Sequence, residues 1–235
     1  MNLKSKLTQT LIALMLTSQV QAQEQITVTK NVQYDEHKSC VLDVARPVSE
    51  APSPRPAIII IHGGGWSAGD KTDAVYVNLM RDYAEMGYVT FNVNYRLTRE
   101  ADMPACIEDV ERSVEFVKQH ASEYGVDPTR IGCFGHSAGG HLSLMLGVKN
   151  LVTCCVGGAP PTEIGNPNNP WDKHPEWWPI GHIKKETSPI LILQGSEDPI
   201  VRPKLTDDFG QKMHKIGNKV ETMLSHIVDE FQEEN

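Results

Sequence analysis

The sequence has no C-x-x-C pair, no internal repeat and no low-complexity tract, and its apolar N-terminal stretch, Leu11 to Leu16, is far short of a membrane span. A bilayer helix needs about 20 such residues. Positive charge is also scarce: 22 Lys and Arg stand against 30 Asp and Glu, for a formal net charge of −8. That balance argues against nucleic acid or an anionic membrane surface as a partner. The five cysteines (40, 106, 133, 154, 155) are an odd number and sit in or beside apolar segments. They read as small buried hydrophobes, with one disulfide through Cys40 or Cys106 left open. The histidines lie at no metal-ligand spacing from them, so no metal is expected. No helix is expected before the first strand to serve as a cap, and the interval 157–188 reads as too short for a large lid.

What is present starts with lysines at 4 and 6, the apolar stretch, and Val20-Gln21-Ala22 as a small-residue cleavage site. This three-part pattern predicts a secretory signal peptide over residues 1–22 and a mature chain, 23–235, forming one domain. Its removal takes the formal charge from −8 to −8 − 2 = −10. The expected location is the periplasm or the medium.

Apolar alternation over Ile26 to Gln33 and Cys40 to Ala45 predicts an edge hairpin. Next come the strand Ala57 to Ile61, a helix from Ala74 to Met86 stopped by Gly87, and a strand Tyr88 to Asn94. Met103, Ile107, Val110, Val114 and Val117 share one face of a helix that ends before Asp127-Pro128. Strands are expected at Ile131 to Phe134, Leu151 to Val156, Pro189 to Leu193 and Val220 to Leu224, with helices over Ala138 to Val148 and Leu205 to Ile216. Alternating strands and helices make a mostly parallel central sheet covered on both faces, an α/β fold. In such sheets the chemistry lies at the carboxyl ends of the strands.

Two segments reach that edge with chemistry-bearing residues. Ser137 stands at the centre of Gly135-His136-Ser137-Ala138-Gly139, between strand and helix. Glycines on either side let a tight turn close, so that the hydroxyl is presented at the sheet top. After Ala57 to Ile61 comes His62-Gly63-Gly64-Gly65-Trp66, whose glycines free backbone N–H groups to face a neighbouring oxygen. Such donors stabilise the oxyanion of acyl transfer by about a hundred- to a thousandfold each.

The order and spacing of H-G-G-G-W at 62–66, G-D-K at 69–71, N-Y-R-L at 94–97, D-P-T-R-I at 127–131 and G-H-S-A-G-G-H at 135–141 resemble the α/β-hydrolase superfamily. The nearest groups are secreted esterases of the hormone-sensitive-lipase and feruloyl or acetyl-xylan esterase (BD-FAE-like) kinds. The resemblance implies an α/β-hydrolase fold with a minimal cap, no cofactor, and a serine carboxylesterase with Ser137 as nucleophile. It implies an oxyanion hole from Gly64, Gly65 and Ala138, and places the acid at Asp198, in Q-G-S-E-D-P-I-V, with Glu163 and Glu197 as alternatives. The family's chain order leaves His214 or His226 as base, and His226, after the last strand, is preferred. Relatives carry glycine and an aromatic after this histidine, whereas Ile227 and Val228 follow here. Trp66, Trp171, Trp177 and Trp178 are expected to border a substrate such as a short-acyl ester, a small molecule or an acetylated or feruloylated oligosaccharide; tryptophans stapling an irregular loop are the alternative. An amidase or peptidase of formamidase or prolyl-peptidase kind, or a non-catalytic binding protein, are the competing functions.

Overall fold

A computed structural model describes residues 25–166 and 168–225, so the expected signal peptide and His226 lie outside the described residues. Among the described residues eight strands form one sheet in the order β1-β2-β4-β3-β5-β6-β7-β8. They are β1 (Ile26–Gln33), β2 (Val41–Pro47), β3 (Arg55–Ile61), β4 (Val89–Val93), β5 (Val126–His136), β6 (Cys154–Gly158), β7 (Ile190–Gly195) and β8 (Val220–Ser225). The hairpin β1–β2 and the pair β2–β4 are antiparallel. All pairs from β4 through β3 to β8 are parallel. The helices are α1 (Ala74–Glu85), α2 (Met103–Gln119), α3 (Ala121–Tyr124), α4 (Ala138–Val148) and α5 (Pro203–Lys215).

The strands form where β-branched residues run together. In β3, Ile59, Ile60 and Ile61 are wholly buried, as befits a central strand between β4 and β5. The expected apolar face of α2 is the observed one, since Met103, Ile107, Val110, Val114 and Val117 are all buried. Every residue of α4 is buried. A helix apolar all round belongs inside the protein, and it carries the elbow serine at its entry.

Boundaries shift where turn chemistry intervenes. The strand expected from Leu151 begins at Cys154 because α4 closes through Asn150, at φ 60°, with Leu151 N–H donating to the Leu146 carbonyl. The helix expected to run up to Asp127 stops at Gln119, and the single turn α3 leads through Gly125, at φ 69°, into β5. Among the described residues between β6 and β7 there is no α-helix but three 3-10 turns, Pro170–Lys173, Pro175–Trp177 and Pro179–His182.

The two sheet faces are unequally covered. One core joins α2, α4 and α5 to the sheet through residues such as Val114, Leu144, Ile192 and Phe209. On the other face, α1 packs Tyr76, Met80 and Ala84 against Ala45 and Ile60. Following that face along the register from Ile60 through Phe134, Val156 and Leu191 leads to apolar side chains left in solvent, Leu193 and Met223, 37% and 55% exposed. All five cysteines are free, which answers the disulfide left open.

Candidate active site

Ser137 follows the last residue of β5 and caps α4 with φ 53° and ψ −120°, backbone angles that a non-glycine residue rarely adopts. Three contacts hold it there. Its N–H donates to the Gly158 carbonyl at 2.8 Å, and its own carbonyl accepts from His141 N–H at 2.9 Å. The third is steric: a methyl group on Gly139 would overlap the carbonyl of Ile61, and one on Gly135 would overlap the carbonyl of Gly139. The glycines are therefore the condition for α4 to lie this close to β3 and β5.

The parallel register sets Ile61 beside Gly135, so two residues further on Gly63 stands beside Ser137. A Cβ on Gly63 would lie 3.4 Å from the Ser137 Cβ. The Gly63 N–H donates to Tyr76 Oη at 2.7 Å, which occupies it. Gly64 and Gly65 are exposed and turn with φ 110° and 57°. No hydrogen bond among the described residues uses the N–H of Gly64, Gly65 or Ala138. Those three amides are available to an incoming oxygen in a way that Gly63 is not.

The remaining motifs brace this loop. His62 stacks on Tyr95 with ring centroids 4.5 Å apart, Tyr95 Oη donates to the His62 carbonyl at 3.0 Å, and burial lowers the His62 pKa. Lys71 N–H donates to Asn94 Oδ1, and Asn94 Nδ2 to Asp70 Oδ2, both at 2.7 Å. Lys71 Nζ makes a buried ion pair with Asp43 at 2.7 Å. Arg96 grips the fully buried Asp109 through Nε and Nη2. Sequence reading missed Asp43 and Asp109. Their signal was an acid inside a strand and one between Glu108 and Val110 on a helix otherwise read for its apolar face.

On the neighbouring strands, Ala159 N–H donates to the Leu193 carbonyl and Ser196 N–H to the Ser225 carbonyl. Asp198, three residues past β7, is buried; its Oδ1 accepts from the amides of Ile200 and Val201 at 2.8 and 2.9 Å. Among the described residues Oδ2 takes only a long contact from Gln194 Nε2, at 3.3 Å, so an ionised carboxylate retains accepting capacity there. Glu197 is exposed and Glu163 half-buried. His214 is exposed on α5 and lines a surface hollow with Cys154, Pro189 and Val220. Those residues sit at the starts of β6, β7 and β8, the opposite end of the sheet from Ser137. Ser225 ends β8 at the same edge as Gly195, its register partner, and His226, the next residue in sequence, lies outside the described residues.

The tryptophans are placed differently from the expectation. Trp178 is 1% exposed and donates Nε1–H to the Trp171 carbonyl at 3.0 Å, so it offers no face to a ligand. Trp66 is 7% exposed and meets Trp171 and Trp178 edge-on. Both rings thereby pack the 3-10 loop onto α4, the loop-stapling alternative weighed from the sequence. Trp171 and Trp177 are half-buried, and His174 stacks on Trp177 at 3.9 Å between centroids. Asp35, Cys40 and Asp109 bring three ligand-type atoms together, but Arg96 and Arg112 pair with the carboxylates, which suits an ion network better than a metal.

The strand order, the elbow and the glycine loop together define an α/β-hydrolase fold. Solved structures agree on the fold: a truncated carbohydrate esterase from gut microbiota superposes with a TM-score of 0.76 at 24% identity, covering 87% of this chain and 89% of that one. Esterase Est2 of Thermogutta terrifontis gives 0.74 at 24%, covering 89% and 84%. A family model described as BD-FAE matches residues 42–155 of the chain. Among curated relatives, esterase LipQ of Mycobacterium tuberculosis is 26% identical over 212 residues, covering 75% of this chain and 50% of its own length. Arylacetamide deacetylase of Oryctolagus cuniculus is 36% identical over 123 residues, covering 51% and 30%. This chain spans about half the length or less of the curated relatives it matches.

Proposed function

We propose that this protein is a serine carboxylesterase acting on short-acyl esters through Ser137, Asp198 and His226. The observation that carries the reading is the juxtaposition of a strained, partly exposed serine with three uncommitted amides beside it. In the first step His226 takes the Ser137 proton as Oγ attacks the ester carbonyl, Asp198 Oδ2 holds the far imidazole nitrogen, and the amides of Gly64, Gly65 and Ala138 receive the oxyanion. The alcohol leaves with that proton. Water then attacks the acyl-serine by the same route and releases the acid. Support for His226 is that it follows in sequence Ser225, which ends β8 at the strands' carboxyl edge, and that His214 is remote from that edge.

The short acyl preference rests on the absence of any α-helical insertion between β6 and β7 among the described residues. A long chain needs many methylenes enclosed together, at about 0.8 kcal/mol each. The alcohol side is proposed to be an acetylated or feruloylated carbohydrate, which fits the gut carbohydrate esterase among the structural neighbours. A second reading, hydrolysis of an acetylated amide, has the arylacetamide deacetylase likeness behind it. The test is kcat/KM over p-nitrophenyl esters of rising acyl length, alongside acetylated xylo-oligosaccharides and an acetanilide. A maximum at acetate or propionate with acetate released from the sugars is expected; a maximum at eight carbons or longer with no acetate released overturns the carbohydrate reading. We further propose export, carried by the charged, apolar and small-residue zones of residues 1–22; intact-mass analysis of periplasmic or secreted protein should find them removed.

A further inference from the structure

His141 is wholly buried one turn into α4, yet both of its ring nitrogens are engaged. Trp66 Nε1 lies 3.1 Å from Nδ1, and the Trp177 carbonyl lies 2.7 Å from Nε2. An indole N–H can only donate and a carbonyl can only accept. The ring is therefore neutral, with its hydrogen on Nε2, accepting from Trp66 and donating to the Trp177 backbone. Its own main-chain N–H donates to the Ser137 carbonyl, at 2.9 Å. The side chain thus joins the residue directly after Gly64 and Gly65 to the loop that lies over α4, while the main chain of the same residue holds the turn that carries Ser137.

Trp66 itself is held against its preference, at φ 58°. Strain of this kind persists only where the surroundings over-determine it, and the indole's single polar atom is spent on His141. We propose that His141 is a positioning residue for the esterase reaction, fixing the Gly64 and Gly65 amides relative to Ser137 through its hydrogen bond to Trp66 and tying the 3-10 loop to the same point. This rests on the esterase reading above. Because the Trp177 contact is to its carbonyl, changing the Trp177 side chain leaves that bond in place, and the bridge is addressed through His141 and Trp66.

The two arms separate by substitution. His141→Asn keeps an acceptor where Nδ1 stands and loses the reach to Trp177; His141→Gln keeps the reach and loses the acceptor. Trp66→Phe removes the same hydrogen bond from the other side while retaining an aromatic ring, which guards against a His141→Gln protein that fails to fold. With p-nitrophenyl acetate, His141→Gln and Trp66→Phe are each expected to lower kcat by about ten- to a hundredfold with little change in KM, the scale of a misplacement near 1 Å. The double variant should be no slower than the slower single one, because both remove one interaction. His141→Asn should recover most of the kcat lost in His141→Gln. A folded Trp66→Phe protein with wild-type kcat, losses that multiply in the double variant, or an effect confined to KM would overturn the positioning role. If wild-type protein shows no Ser137-dependent hydrolysis, the esterase reading fails and takes this inference with it; an active wild type with an unaffected Trp66→Phe sinks this inference alone.

Discussion

Around the ends of β3 and β5, backbone meets backbone: the Gly139 position leaves no room beside the Ile61 carbonyl, and Ser137 is tied to Gly158 and His141. Around β7 and β8 the packing is of another kind. There the sheet ends in an edge strand, Met223 and Leu224 are 55% and 64% exposed, and the acid loop is held by two amides on one oxygen of Asp198. The proposed reaction needs both halves. Ser137 and the amides proposed to receive the oxyanion are held by close backbone packing, whereas the proposed acid, Asp198, lies on a loop beyond β7 and is held by fewer contacts.

Substitutions in each half should separate these roles. The largest effect is expected for Ser137→Ala, a loss of about a millionfold in kcat with a circular dichroism spectrum unchanged from wild type; full activity in the folded variant would end the assignment. In the other half Asp198→Asn should cost about ten-thousandfold, measured with the same ester, and a loss under tenfold would shift the acid role to Glu163 or Glu197.

The comparison sharpens for stability. Gly139→Ala forces a methyl group into the Ile61 carbonyl and should destabilise by about 3 kcal/mol or more, read from urea midpoints, because backbone cannot swing aside as a side chain can. Next in size is a pH effect from the same half. Burial pushes the His141 pKa down to about 4 and lowers that of His62. The unfolded chain takes up these protons near the ordinary histidine pKa of about 6.5, so it binds more protons than the folded one below that pH. Stability is therefore complete above that pH and lost as it falls from there toward 4, by on the order of 3 kcal/mol for His141. A urea series across this window checks it, and His141→Asn should flatten the slope. Smallest is Met223→Ser on the open face, expected within about 0.5 kcal/mol of wild type; a loss above 2 kcal/mol would mean that this side chain is covered in solution.

How far the sequence could be read follows the same division. Close backbone approach leaves a trace in the chain, since only glycine satisfies it, and so the Ser137 turn, the Gly63 to Gly65 loop and α4 were all visible as motifs. The face of α2 was visible for a related reason, its apolar residues recurring at the helical period. Asp43 and Asp109 were not, because a buried acid announces itself only through a partner distant in sequence, Lys71 or Arg96. The tryptophans stayed ambiguous for the opposite reason. An aromatic side chain suits a binding surface and a loop core equally well, and nothing local to residues 171–178 records that Trp66 and His141 would close over them.

The central claim is that Ser137 is an activated nucleophile, and covalent trapping tests it most directly. Purified protein should be treated with paraoxon and the peptide containing Ser137 analysed by mass spectrometry. One diethyl phosphoryl group on Ser137, appearing as esterase activity disappears and absent from Ser137→Ala, is the expected result. An unlabelled Ser137 in folded protein that still hydrolyses p-nitrophenyl acetate would contradict it.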